Sequence, residues 1–442
     1  MIGVETSLSI AVGPDLAGLD PEGLAARFGT PFYLYDFDAV ERRVAALRAA
    51  LPARFDLAYA AKANPALALV SHLGRLGVDG DIASGGELEL VARAGISAAR
   101  TIFTGPGKNE AEHRAAVAAG VRAVTVESPG ELARLEAVAA AMGRRQPILL
   151  RLSVGDRSRH ETVRIIGDDG LGKFGMSAAD LEGAARHAAG SPHLELLGVH
   201  AFGASNLRDV EALVGHVEAT VAYASHVADL AGTTLRLVDA GGGLGIPYAD
   251  DEEPLNLAAL ARGLASLDAG WAADPRLSSM RVLLEPGRFL VGPAGVYVCR
   301  IVDRKSVGGR EVAVVDGGIH HLLRPALIRQ PHRLRLLPVR GSGEPAVSGG
   351  SAAGALGATM AVAGPLCTGL DILSRAAVLP DARVGDLVAV LDAGAYGFTE
   401  SMPLFLSRPL PVELGVRGGD VREIRRRIEP REFLESQSIP DW

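Results

Sequence analysis

The run Phe55-Asp56-Leu57-Ala58-Tyr59-Ala60-Ala61-Lys62-Ala63-Asn64-Pro65 decides how the rest of the chain is read. Its largely apolar residues, Phe55 to Ala61, predict a buried strand, and Asn64-Pro65 ends it. One lysine therefore stands at the C-terminal end of that strand. Burial there would strip water from its charge, lower its pKa and suit it to Schiff-base chemistry. Taken alone, Lys62 reads as well as a snorkelling lysine, its stem on apolar surface and its charge in solvent. The residues at the ends of the other strands have to decide.

Outward from this run the chain alternates. Strand-like segments recur at 80–83, 101–104, 123–127, 147–153, 194–201, 235–240 and 281–285, with helical patterns between them. With 55–61 the count is that of a (β/α)8 TIM barrel. An open doubly wound sheet is the competing arrangement, but polar, glycine-rich motifs after nearly every strand favour the rim of one closed barrel. Beyond Gly292 short strands take over, at 296–302, 311–315, 334–337, 361–363 and 387–391, with a Gly- and Ser-rich loop over 338–357. We therefore expect residues 1–36 to supply strands (8–12 and 31–35) and a helix packing with the β domain. Residues 37–290 form the barrel, 291–419 a β-rich domain and 420–442 a charged helical tail.

The 442 residues are 48% hydrophobic and 22% charged, with a formal net charge of -7. That is enough chain for two domains with large cores. The acidic balance argues against nucleic acid or an anionic membrane as main partner. Two cysteines, Cys299 and Cys367, give no disulfide framework and fit a reducing cytoplasm. Met1 to Leu16 lacks the basic-then-apolar order of a secretory signal, and no apolar run is long enough to span a bilayer, so a cytoplasmic protein is expected. Lysine occurs only at positions 62, 108, 173 and 305, which makes each conspicuous.

In such a barrel the chemistry sits after the strands, at their C-terminal ends. Those positions give Lys62, then Asp81 with Ser84-Gly85-Gly86-Glu87, then His200, Gly241-Gly242-Gly243 and Glu285-Pro286-Gly287-Arg288. Consecutive glycines let backbone N–H groups approach an anion, and the Arg288 backbone adds to that phosphate cradle, although tight turns use glycine too. An amine beside a phosphate cradle suggests pyridoxal 5'-phosphate. Glu285 would then face the pyridine nitrogen and keep it protonated. His200 is either a face for the ring or a hydrogen-bonded rim histidine. No metal site is expected. In the second domain, Gly364-Pro365-Leu366-Cys367-Thr368-Gly369-Leu370-Asp371 and Asp392-Ala393-Gly394-Ala395-Tyr396-Gly397 read as loops. Cys367 is inert if buried, but its turn-forming neighbours favour exposure and reactivity.

These motifs, AAKAN around Lys62, SGGEL from Ser84, GGGLG, EPGR, GPLC and GAYG, occur in the order of the fold-type III decarboxylases. The chain resembles that family, which includes diaminopimelate, ornithine and arginine decarboxylases, over roughly residues 30 to 410. The resemblance implies an alanine racemase-like barrel with Lys62 as covalent anchor of pyridoxal phosphate. It implies Glu285 as partner of the ring nitrogen and His200 as stacking residue. Asp81, Ser205, Gly242, Gly243, Pro286, Gly287, Arg288 and Tyr396 would surround the cofactor, and Arg288, Arg324, Thr368, Asp371 and Tyr396 the substrate. It also implies a homodimer with shared active sites, Cys367 from one chain protonating the α-carbon in the other's site after carbon dioxide leaves.

Diaminopimelate enzymes of that family place an acid after the cysteine and a tyrosine after RPAL. Here Thr368 comes after Cys367, and Ile328 comes after Arg324-Pro325-Ala326-Leu327. A distal ammonium would lose its carboxylate partner, which in a dry site costs on the order of 3–5 kcal/mol. Arg288 and Arg324 suit a distal carboxylate or an acyl oxygen. His320-His321 and the stretch from Gly394 to Thr399 are similar to a branch acting on glutamyl or methylaspartyl groups tethered to an acyl carrier protein in antibiotic biosynthesis. The Arg324 motif also fits the diaminopimelate branch. The expected activity is α-decarboxylation of an L-amino acid with a distal carboxyl or acyl group, free or carrier-bound. Diaminopimelate decarboxylation, racemisation and non-catalytic cofactor binding are the alternatives. A racemase wants two opposed bases, so the cysteine loop favours decarboxylation. A carrier's acidic helix would meet basic residues such as Arg157, Arg159 and Arg164.

Overall fold

The first strand of the fold, β1 (Phe32–Asp36), is buried along its whole length, as its apolar residues require. The computed structural model describes residues 18–153, 172–339 and 359–442. The strand at 8–12, most of the loop at 338–357 and Arg157, Arg159 and Arg164 lie outside the described residues. The chain forms two compact units. Among the described residues, one holds Glu41–Ile246 and Glu253–Leu290; the other holds 18–40, Pro247–Glu252 and Val291–Trp442.

In the first unit β2 (Phe55–Ala60), β3 (Asp79–Ile82), β4 (Thr101–Phe103), β5 (Ala123–Val126), β6 (Gln146–Leu152), β7 (Leu194–Ala201), β8 (Leu237–Asp239) and β9 (Arg281–Leu284) close a parallel barrel. Closure is made by β9 on β2, with Phe55 opposite Val282. Ala58, Ile102, Ala123, Leu149, Leu237 and Leu283 fill part of its core, large against small, as a tapering interior demands. Side-chain caps hold the loops leading into the helices. Ser84 accepts from the Glu87 N–H at helix Gly85–Arg93, and Asn109 and Glu112 form a reciprocal capping box at Glu110–Ala119. These caps make the barrel's upper rim a fixed frame for side chains.

The second unit is a sheet of β1 with β10 (Gly295–Val307), β11 (Arg310–Val315), β12 (Leu334–Leu337), β13 (Thr359–Ala363), β14 (Ile372–Val378), β15 (Leu387–Val390), β16 (Val412–Arg417) and β17 (Asp420–Arg425). β1 lies between antiparallel β10 and parallel β16, Phe32 facing Val298 on one side and Val412 on the other. Residues two apart on each strand build one core: Phe32 and Leu34, Val296 and Val298, Leu387 and Ala389, Val412 and Leu414.

Two boundaries differ from expectation. Pro247–Glu252 belongs to the second unit rather than to an unbroken barrel segment. There the Tyr248 ring meets His332 edge-on at 5.0 Å. The tail after Gly419 opens as strand β17, not as a helix. Gly418 and Gly419, with φ of +55° and +80°, form a tight turn that folds β17 back onto β16. A short helix, Pro430–Leu434, comes after it. Among the described residues no helix is long and apolar enough to cross a membrane.

Candidate active site

Lys62 lies in a single 3-10 turn, Ala61–Ala63, directly after β2. Ala61 and Ala63 are fully buried, the Tyr59 hydroxyl donates to the Asn64 carbonyl at 2.9 Å, and Asn64 Oδ1 accepts from Ala66 N at 3.0 Å. The turn is thus clamped on both sides of the lysine. The amine is not dry, however: 48% of the Lys62 side chain is exposed, so burial does not strip its water as the sequence led us to expect. Its electrostatic neighbour is the buried Asp81, whose Oδ2 lies 3.8 Å from Nζ. Thr104 Oγ1 donates to the other Asp81 oxygen at 2.9 Å. Burial raises the Asp81 pKa, and Lys62 opposes that rise.

Three buried groups converge at the ends of β7, β8 and β9. Donor atoms of His200, Asp239 and Glu285 lie within 4.8 Å of one another, and His200 Nε2 is 3.7 Å from Glu285 Oε2. Asp239 Oδ1 accepts from Gly241 N at 2.9 Å. Both ring nitrogens of His200, Glu285 Oε1 and Asp239 Oδ2 are buried and have no hydrogen-bond partner among the described residues. Burial first, then the neighbouring Asp239, pushes the Glu285 pKa well up. Burial pushes Asp239 up to about 7 and the His200 pKa well down, leaving a neutral imidazole. Such a set would accommodate a divalent ion by spacing. It fits equally the N–H of an aromatic ring cation, which would satisfy an orphaned carboxylate oxygen beside a flat, uncharged imidazole. With an accessible amine on the neighbouring rim, the residues fit pyridoxal phosphate.

The glycines draw these loops together. A Cβ at Gly242 would fall 2.2 Å from the Glu285 carbonyl, and one at Gly287 would fall 2.7 Å from Ala63 Cβ. Any larger residue would push the Glu285 loop off the triple glycine or off the Lys62 turn. Gly243 O accepts from Leu207 N at 2.8 Å, and Arg288 Nη2 reaches Ser205 Oγ at 3.4 Å. Pro286 is buried between Glu285 and Gly287. Ser205, Gly242, Gly243, Pro286, Gly287 and Arg288 therefore share one part of the rim. Lys108, also conspicuous in the sequence, is committed elsewhere. It is buried against Glu131 at 2.8 Å and donates to the Thr125 carbonyl at 2.8 Å.

The remaining expected residues lie in the second unit. Cys367 is exposed and Cys299 buried. Thr368 Oγ1 accepts from Leu370 N at 3.3 Å. Asp371, expected to meet substrate, is instead turned inward. Its Oδ1 accepts from Ile319 N at 2.8 Å and its Oδ2 from Leu366 N at 2.7 Å, stapling the cysteine loop to the turn before His320-His321. His321 holds Tyr297 OH at 3.1 Å and the Pro409 carbonyl at 2.9 Å, so it is a structural ring. Arg324 is buried at the start of a short helix, with Nε 2.8 Å from Glu400 Oε2 and Nη2 3.2 Å from Oε1. Its Cζ lies 4.3 Å from the centroid of Tyr396, a residue with a left-handed φ of +53°.

Sequence reasoning missed Asp239 and Glu400. Asp239 had a local signal, an acid at a strand end two residues before the triple glycine. Glu400 had none, because its partner Arg324 is 76 residues away.

Residues 37–292 match the family profile described as the pyridoxal binding domain of pyridoxal-dependent decarboxylases. The chain is 31% identical to the L-glutamyl-[BtrI acyl-carrier protein] decarboxylase of Niallia circulans, over 94% of this chain and 95% of that one. It is 33% identical to the diaminopimelate decarboxylase of Pseudomonas fluorescens, over 96% of each. A solved diaminopimelate decarboxylase from Helicobacter pylori, complexed with L-lysine, superposes with a TM-score of 0.81 at 28% identity, over 94% of this chain and 98% of that one.

Proposed function

Because the chain belongs to the fold-type III pyridoxal phosphate-dependent decarboxylases, we propose that it is the α-decarboxylase of a glutamyl- or aspartyl-type L-amino acid. The distal end of that substrate is a carboxyl or acyl group, free or carried on an acyl carrier protein. Pyridoxal phosphate, when bound, supplies an electron-withdrawing ring that takes up the electron pair left as the α-carboxylate departs as carbon dioxide.

The chain's own residues do the rest. Lys62 anchors the cofactor through its amine, and Asp81 at 3.8 Å orients that amine and balances its charge. Glu285, with Asp239 as its buried neighbour, would keep a proton on the ring nitrogen, and neutral His200 would offer its face to the ring. Gly242, Gly243, Gly287, Arg288 and Ser205 would hold the phosphate, and Cys367 of a second copy would deliver a proton to the α-carbon. Asp371 acts by holding the cysteine loop in place.

One observation carries the substrate assignment. The acids of the second-unit motifs are already engaged, Asp371 by two backbone N–H groups and Glu400 by Arg324. Thr368 stands where a distal ammonium would need a carboxylate. Carbon dioxide release from L-glutamate, L-aspartate, their carrier thioesters and meso-diaminopimelate tests the reading. Turnover of diaminopimelate alone would overturn it. Deuterium entering the α-carbon without carbon dioxide release would point to a racemase. Cys367→Ala should keep the cofactor's visible absorbance and lose most turnover; undiminished turnover would remove Cys367 from the proton transfer.

A further inference from the structure

We infer that Asp239 is a positioning residue for Glu285: the two carboxyl groups share one proton, and Asp239 carries it whenever Glu285 faces a ring cation, donating a hydrogen bond that keeps Glu285 ionised. The inference rests on the pyridoxal phosphate reading of the barrel rim and is independent of the substrate.

Asp239 ends β8 and Glu285 directly follows β9, its parallel neighbour, where Asp239 lies opposite Leu283. One glycine holds both acids. Gly241 N–H donates to Asp239 Oδ1 at 2.9 Å, and the Gly241 carbonyl accepts from Glu285 N at 2.8 Å. From the helix behind, His216 Nε2 donates to the Ala240 carbonyl at 3.1 Å and the Ala201 carbonyl at 3.4 Å, tying the end of β8 to that of β7. The free oxygens, Asp239 Oδ2 and Glu285 Oε1, are buried and have no hydrogen-bond partner among the described residues. Neighbouring donors are committed or out of reach. His200 Nε2 is 3.7 Å from Glu285 Oε2, Arg151 is bonded to Glu127 at 2.7 Å, and the Thr104 hydroxyl serves Asp81. Ionised carboxylates only accept, so two of them in one dry pocket would repel and satisfy neither free oxygen. One proton between them answers both needs. Burial lifts Asp239 to about 7. Burial and then Asp239 lift Glu285 well up, so in the empty site Glu285 holds the proton and Asp239 accepts. The other charges facing the pair are Asp81, which raises both groups, Arg151, which lowers Asp239, and Lys62, which lowers Glu285. A cation at Glu285 reverses the order of the two acids, and the proton passes to Asp239 without leaving the pair.

The test uses the full chain stripped of cofactor and 4'-deoxypyridoxine 5'-phosphate, which has the cofactor's ring and phosphate but no aldehyde to condense with Lys62. Its ultraviolet band distinguishes a protonated from a neutral ring. Asp239→Asn keeps an N–H donor toward Glu285, so it should bind the probe and hold the ring proton to nearly the same pH as wild type. Asp239→Leu has no donor. It should bind about tenfold or more weakly and release the ring proton about one pH unit or more lower. Asp239→Leu matching wild type would overturn the inference, as would Asp239→Asn failing as badly as Asp239→Leu with its Tm intact. Infrared spectra settle the question even if Asp239→Leu does not fold. The wild-type complex should show the carbonyl stretch of a protonated carboxylic acid that the Asp239→Asn complex lacks, and identical spectra would overturn the inference. A wild-type chain that binds neither the probe nor pyridoxal phosphate would overturn the cofactor reading and this inference with it.

Discussion

Asp239 carries a proton-linked cost that the cofactor-free protein should reveal. Its pKa rises from the ordinary aspartate range, about 3.9 in an unfolded chain, to about 7 in the fold, first through burial. Between those values the native chain binds more protons than the unfolded one, so this group's share of stability falls as pH rises. His200 and His321, held neutral by burial, act in the opposite sense and lose stability as pH falls below about 6.5. The difference between wild type and Asp239→Asn isolates the aspartate. In protein stripped of cofactor, Tm of Asp239→Asn minus Tm of wild type should grow from pH 4 toward pH 7 and then level. A constant difference would show that Asp239 does not titrate in that window. Lys62, His200 and Glu285 stood out in the sequence because each stands at a strand end, a position that the close of an apolar run locates. The Asp239–Glu285 coupling and the Glu400–Arg324 pair were not, because each is made across chain segments whose approach only the fold sets.

Among the elements, the loop from Gly364 to Asp371 is held to the Ile319 turn by a single side chain. Asp371→Ala would leave Ile319 N–H and Leu366 N–H buried without acceptors, a loss of about 2–4 kcal/mol. Asp371→Asn keeps one acceptor and should cost less. Chemical denaturation measures both, and equal stability of Asp371→Ala and wild type would remove the staple. If the loop positions Cys367, Asp371→Asn should also slow turnover with cofactor absorbance unchanged. Strand β17 teaches a different lesson about elements. Asp420-Val421-Arg422-Glu423-Ile424-Arg425 is charged on both faces and gives no clear period, so its helix-like composition misled. The usable signal was the Gly418-Gly419 pair before it, which favours a two-residue hairpin and so a strand on β16.

At the scale of the whole molecule, the barrel was legible strand by strand because most of its strands are short apolar runs that alternate with helical patterns. The second unit was less so. β14 and β16 escaped notice, the first because several of its residues are exposed, the second because it completes its pairing with a strand some 380 residues earlier. The larger question is whether one chain suffices for one site. Cys367 is exposed, Leu370 in the same loop is 64% exposed, and Met402, Leu404, Phe405 and Leu406 are 37–58% exposed. Apolar surface of this kind is what a second copy would cover, and the proposed dimer places Cys367 in its partner's site. Mixing Lys62→Ala chains with Cys367→Ala chains decides the matter. In a mixed dimer one shared site collects both lesions and the other collects neither. Random exchange makes half the dimers mixed, so about one quarter of wild-type activity should return, although each variant alone is nearly inactive. If mass spectrometry verifies exchange and no activity returns, each chain must use its own cysteine or none.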